Sequence, residues 1–235
     1  MTRSSHAPAR RLVEEPARRR QADRTEATRA ALIRAAIDVI CERGYAATTA
    51  AAIAARARVT RGALQHHFGS LRELYLDVVT FISRELVGEI EAEIATHDSL
   101  DQQVSAVAAR YWHVYSGDDY VALLEIWIGS RHDAALRSRI DRLMRAITEK
   151  RNEYWTMMLA AVDLPRAELD ILRATLLSTV RGAAIHRLFS RDDARGLKQV
   201  EFILELVGLW IAHRKAAQAG AKDTKDTKDT KRKAR

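Results

Sequence analysis

Three prolines and ten glycines in 235 residues leave this chain few of the residues that punctuate strands and tight turns. Ala, Leu, Arg and Glu dominate instead, which is an all-α composition. The lone cysteine, Cys41, excludes an internal disulfide and suggests a reducing compartment. Its place late in a helix reads as a buried thiol rather than a redox sensor. No apolar run approaches the ~20 residues that a membrane-spanning helix needs. The N-terminal stretch holds arginines without the apolar segment of a secretory signal. The expectation is a cytoplasmic chain with no membrane partner. Catalytic signatures are missing too: there is no Gly-rich phosphate loop, no His-Glu-x-x-His, no Cys-x-x-Cys and no Gly-x-Ser-x-Gly. The eight histidines are scattered, and His113 with Glu125 would form an acid–base pair only if the fold joined them. No enzyme, metal or cofactor is expected.

Positive charge is in excess, at a formal +8, and it is unevenly placed. Residues 1–24 hold seven Arg against Glu14, Glu15 and Asp23, and residues 222–235 hold seven Lys or Arg against three Asp. Residues 25–72 are also basic, with seven Arg against Glu26, Asp38 and Glu42, whereas 73–221 is net acidic. A basic head on an acidic body suits a protein that offers one end to a polyanion.

Apolar periodicity places helices at about 24–43, 49–57, 60–68, 70–95, 100–116, 119–131, 133–162, 165–190 and 196–217, about nine in all. Leu32, Ala35, Ala36, Val39 and Ile40 make the stripe of the first, and Gly44 ends it. Ser70 with Glu73 is a capping-box pattern. The helix at 119–131 is apolar nearly all round, so it reads as buried, and Glu125 within it needs a partner or a ligand. Residues 1–23 read as a disordered basic arm, with Arg18, Arg19 and Arg20 placed to reach DNA or merely to solubilise. The KDT repeats within 218–235 read as a disordered basic tail. The domains are then 24–72, a three-helix DNA-binding head, and 73–217, a helical ligand-binding and dimerisation body.

Residues 48–68 carry the functional signal. Two short helices flank a break at Arg58-Val59, with Thr60 capping the second. Ile53, Ala54, Ala57, Leu64 and Phe68 face inward, while Arg61, Gly62, Ala63, Gln65, His66 and His67 face out. This is the layout of a helix-turn-helix, whose second helix enters the major groove; an ordinary surface hairpin is the alternative on pattern alone. The stretch 44–74 resembles the DNA-binding segment of the TetR family of ligand-responsive repressors. Gly44, Tyr45, Thr49, Ile53, Ala54, Val59, Thr60, Gly62, Leu64, His67 and Phe68 carry the likeness. Gln65 stands where the family has Tyr, Leu71 (with Arg72 beside it) where it has Lys, and Arg58 where it has Gly. The resemblance implies nine helices, DNA binding as a homodimer on a palindromic operator, and release by an inducer.

Side-chain chemistry supplies the candidate contacts. Arg61 suits guanine and Gln65 adenine, with His66, His67 and Ala63 beside them and Gly62 allowing close approach. His67 alternatively packs beside Phe68. Tyr45, Thr49, Thr60 and Arg72 suit phosphate. Ligand candidates are Tyr111, Trp112, Tyr115, Glu125, Trp127, Arg131, Tyr154, Trp155, Met158 and Arg181, aromatics around a few charges. The same residues would equally make a core with a Glu125–Arg181 ion pair. Dimer candidates are Leu176, Val180, Ala183, Ala184, Arg187, Ile203, Leu204 and Val207, on stripes that would otherwise close the protomer core. The functional expectation is a DNA-binding repressor released by a small, mainly apolar ligand; an adaptor without a ligand is the runner-up.

Overall fold

The computed structural model describes residues 14–233 apart from 98, 161, 163, 191 and 192. Side chains are described for 19–217 apart from 86, 89–96, 98, 101, 161, 163 and 191–193. Among the described residues there are nine α-helices and no strand. They are α1 (Glu14–Ala47), α2 (Ala50–Arg56), α3 (Arg61–Phe68), α4 (Leu71–Thr96), α5 (Leu100–Tyr115), α6 (Asp118–Gly129), α7 (Ala134–Met158), α8 (Arg166–Ser190) and α9 (Asp193–Lys233), with a single 3-10 turn at Ser130–His132.

Local chemistry sets most of these boundaries. Oxygens of Thr49, Thr60, Ser70, Ser99 and Asp133 accept from the N–H groups of Ala52, Ala63, Glu73, Gln102 and Leu136, at 3.1–3.3 Å. Each satisfies one of the free donors that open a helix. Gly44 adopts φ 76° and interrupts α1, as its place in the sequence predicts. Arg58 adopts φ 57°, a left-handed conformation that a side chain disfavours, in the turn between α2 and α3.

Packing joins α1, α2 and α3 around Leu32, Ala36, Ile40, Ile53, Leu64 and Phe68, all buried. The guanidinium of Arg29 covers the Phe68 ring at 4.7 Å and pairs with Asp77 of α4. Arg56 ties α2 back to Glu42 of α1 at 2.6 Å. The body core gathers Tyr111, Ile126, Leu136, Ile140 and Leu176. α4 belongs to both regions, packing on α1 and on α5, α6 and α7.

Two expectations are corrected at the ends. Helix α1 starts at Glu14, inside the stretch expected to be a disordered arm; residues 1–13 lie outside those described. The Ala- and Arg-rich run before Thr25 favours helix, and it continues a helix that the head core anchors. Helix α9 likewise runs through the KDT repeats to Lys233. A composition that cannot build a core can still extend a helix, because helical hydrogen bonds are internal to the segment.

Candidate functional site

The short helix α3 is held by its own core face and presents the rest to solvent. Leu64 and Phe68 are buried, whereas Arg61, Gly62, Gln65 and His66 are exposed and Ala63 and His67 half-buried. The His67 ring stands 6.4 Å from Phe68 and edge-on to His66 at 5.6 Å. The Gln65 amide donates to the Gly69 carbonyl at the helix end. Thr49 and Thr60 are exposed, with their oxygens committed as caps. A hydroxyl so used retains its proton for a phosphate oxygen. Thus α3 and its approach present Arg61, Gln65, His66 and the two Thr hydroxyls to solvent on one short helical surface.

Two expected phosphate contacts sit elsewhere. The Tyr45 ring lies 5.1 Å from Tyr75 and packs against Gly129, where a Cβ would fall inside the ring. Arg72 donates to Asp133 at 2.5 Å. The N–H of Leu136 and the Arg72 guanidinium together hold the Asp133 carboxyl below its ordinary value. Both residues therefore belong to a joint between head and body. Glu125 completes that joint: its carboxylate accepts from the Tyr45 backbone N–H at 2.9 Å. The sequence expects Glu125 to meet a ligand or Arg181, and it meets the backbone just past Gly44 instead. Arg34–Asp119 at 2.6 Å and Arg139–Glu73 at 2.7 Å add exposed pairs across neighbouring elements. Nearby, the Cys41 thiol donates to the Asp118 carbonyl at 3.2 Å, and burial and the Asp118 charge push its pKa up to about 11. The sequence expects a buried thiol, and it is half-buried.

Beyond the joint, α4, α5, α6, α7 and α8 line a half-open cavity of about 520 Å³. Of the ten ligand candidates, Tyr115, Trp127 and Arg181 line it. Tyr111 and Trp155 stack beneath it in the core, bonded through Trp155 Nε1 and the Tyr111 hydroxyl at 3.1 Å. Tyr154 and Met158 are buried off the cavity. Trp112 packs on Gly196 of α9, and Arg131 is exposed beside His132. These seven, Glu125 included, are corrected as lining residues: helical periodicity gives a face but not the neighbour that covers it. The sequence reading missed Tyr120, Leu123, Met144 and Arg151, which do line the cavity. Arg151 had a legible signal. It continues the apolar stripe Ile140, Met144, Ile147 at helical spacing, a charge where an apolar side chain belongs.

The Arg181 guanidinium lies over the Tyr115 ring at 5.2 Å and donates to its hydroxyl at 3.1 Å. Arg151 is only 4% exposed and its Nε has no acceptor. Tyr120 meets Tyr115 edge-on at 4.6 Å, and burial raises its pKa to about 12.

The dimer candidates divide by exposure. Leu176, Val180, Ala183, Ala184 and Val207 are buried within the protomer, and Arg187, Ile203 and Leu204 are half-buried. Those stripes hold α8 and α9 onto the body. The exposed stripe of α8 is Ile171, Thr175, Ser178, Gly182, Ile185 and Phe189. On α9, Phe202, Leu206 and Leu209 are exposed.

Comparison with known proteins agrees with this geometry. The family described as "Bacterial regulatory proteins, tetR family" matches residues 32–78, which span the C-terminal part of α1, all of α2 and α3 and the start of α4. The HTH-type transcriptional regulator CymR of Pseudomonas putida is 30% identical over 183 residues, covering 77% of this chain and 89% of that protein. The HTH-type transcriptional regulator BetI of Paraburkholderia phymatum is 31% identical over 172 residues, covering 71% of this chain and 84% of its own length. Among solved structures, the transcriptional regulator FadR of Bacillus subtilis in complex with stearoyl-CoA has the same fold, with a TM-score of 0.63 at 16% identity, covering 76% of this chain and 96% of FadR. No helix among the described residues is long and apolar enough to cross a membrane. With a helix-turn-helix head, a helical body and relatives that are transcriptional regulators over nearly their whole length, this chain belongs to the TetR family of DNA-binding transcriptional regulators.

Proposed function

We propose that the protein is a repressor that binds a two-fold-symmetric operator as a homodimer and leaves it when a small, mainly apolar ligand fills the body cavity. The cavity of about 520 Å³ is the observation that supports ligand control, because an adaptor needs no such space. For DNA, Arg61, Gln65 and His66 are the exposed side chains of α3, and Arg61 and Gln65 have base-reading geometry available to them. Thr49 and Thr60 suit the flanking phosphates. A single head touches few base pairs, so specificity needs two heads about one helical turn, or a multiple, apart. The outer stripes of α8 and α9 suit the second copy: Phe189 is 82% and Leu209 68% exposed, and Ser178 and Gly182 would let helices approach closely.

Ligand control then has a physical route. A ligand shifts the population toward the body conformation that it fits, and the joint at Tyr45, Glu125 and Gly129 carries that change to the head. The test is footprinting on the DNA upstream of the protein's own coding region, as a salt series against an unrelated fragment of equal length. A symmetric footprint tighter than the control is the expected result. Equal binding to both fragments that vanishes as salt rises would leave only non-specific charge attraction.

A further inference from the structure

Three arginines stand in the cavity wall; Arg145 is exposed, and neither Arg151 nor Arg181 is paired with a carboxylate among the described residues. Arg151 from α7 is almost wholly buried, its Nε lacks an acceptor, and its best bond is a long one from Nη2 to Thr148 at 3.4 Å. Arg181 from α8 has one hydroxyl partner, Tyr115. Both line the same pocket, Arg151 from α7 and Arg181 from α8. The lining carboxylates do not offset them: Asp141 is held by Arg137 at 3.0 Å, and Glu149 is exposed. A buried guanidinium without a counter-charge is strongly unfavourable unless something else supplies one. Water can serve a lone N–H, but two planar cations over an aromatic floor match a carboxylate far better. Ile82, Val114, Leu123, Met144 and Ile147 give the wall an apolar part, beside the polar Ser83 and Thr148.

We infer that the ligand is a small apolar carboxylic acid, whose carboxylate is bound between Arg151 and Arg181 and whose hydrocarbon body lies against α4, α5 and α6. This rests on the cavity being the effector site. It is specific in sign: a cationic or neutral ligand would leave both arginines without a counter-charge. The neighbouring Tyr120 hydroxyl, whose pKa burial raises to about 12, would add a bond to the same oxygens.

Calorimetric titration of the full chain tests it with matched probes: benzoate against benzamide, octanoate against octanamide, and choline as the cation. The acids are expected to bind about 10- to 100-fold more tightly than their amides, the range of a charge-assisted bond. Arg151→Met should bring each acid close to its amide in affinity, and the readout is that ratio. Because Met fills the site without a charge, it should keep or raise the melting temperature. Arg181→Met serves as the second variant should Arg151→Met not fold. Acids that bind no better than amides, tighter binding of choline, or an acid preference that survives in both variants overturns the inference. Operator footprinting of the same preparation separates the two readings. A specific footprint with no acid preference sinks the carboxylate alone, whereas loss of the footprint sinks the regulator.

Discussion

Removing the Glu125 side chain should loosen the join between head and body by an amount that the structure sets. The carboxylate accepts from the Tyr45 N–H at 2.9 Å, in a half-buried site just past the Gly44 interruption of α1. A hydrogen bond to a charged group contributes about 1.5–3 kcal/mol net, and an N–H left without an acceptor loses about 1–3 kcal/mol. These describe one interaction from two sides, so Glu125→Ala should destabilise by about 2 kcal/mol. In a chain of this size each 1 kcal/mol moves the melting temperature by about 2–4 °C, giving a fall of about 4–8 °C. Glu125→Gln keeps an oxygen of the same reach without the charge, and should fall by about half as much. Gly129→Ala attacks the same joint from the other side, forcing the Tyr45 ring to move, at about 1–3 kcal/mol for overpacking. Because both substitutions act on Tyr45, their effects in the double variant should not add. Thermal unfolding followed by circular dichroism measures all four proteins. A melting temperature for Glu125→Ala within about 1 °C of the parent would show that the bond carries no net weight, and the joint would have to be sought elsewhere.

Arg58→Gly should raise stability by about 0.5–1 kcal/mol, because it relieves a left-handed side-chain conformation at φ 57° and gives back part of that as chain entropy; urea denaturation reads the sign, and a loss would mean that the Arg58 side chain stabilises the turn. Cys41 should resist iodoacetamide at pH 7–8 in the native protein and react only as pH climbs toward about 11. Its raised pKa also implies native stability that is complete below the unfolded thiol value of 9.0 and lost as pH rises through about 11; rapid alkylation at pH 7 would contradict the buried, hydrogen-bonded thiol. If the proposed dimer forms through the outer stripes, Phe189→Asp with Leu209→Asp should yield a folded monomer by light scattering, whereas Leu176→Ala should cost about 2–4 kcal/mol and leave the proposed dimer intact; the opposite pattern would return the interface to the inner stripes.

What the sequence disclosed follows from how local each feature is. Gly44, Thr60 and Ser70 act on backbone within a few residues, so their roles were readable without neighbours. Arg58 was readable too, as the residue standing where the turn wants a glycine. Leu64 and Phe68 followed from period, since a helix this short has only one apolar face. Glu125, Trp112 and Val180 were misplaced for one reason: periodicity tells which side of a helix is covered, not by what. Glu125 meets the end of α1, Trp112 meets Gly196, and Val180 meets the body rather than a second copy. Arg151 was overlooked because an amphipathic stripe was read for its apolar members. Its one charged member was the more informative residue.

The placement of these misread residues explains how the two halves of the molecule can be coupled. Helix α6 turns one face to the cavity, through Tyr120, Leu123 and Trp127, at spacings of three and four. Glu125 and Gly129, also four apart, contact Tyr45. Residues two apart lie about 200° around a helix from one another, so Glu125 stands nearly opposite both Leu123 and Trp127. One rigid element therefore touches the proposed ligand on one side and the head on the other, with no intermediary to absorb a displacement. Coupling through it must be reciprocal, so the operator should weaken the ligand by the factor with which the ligand weakens the operator. Glu125→Ala, which frees Tyr45 but leaves the cavity wall in place, should reduce that shared factor while preserving ligand affinity measured without DNA. An unchanged factor would assign the coupling to α4, the other helix that packs on both regions.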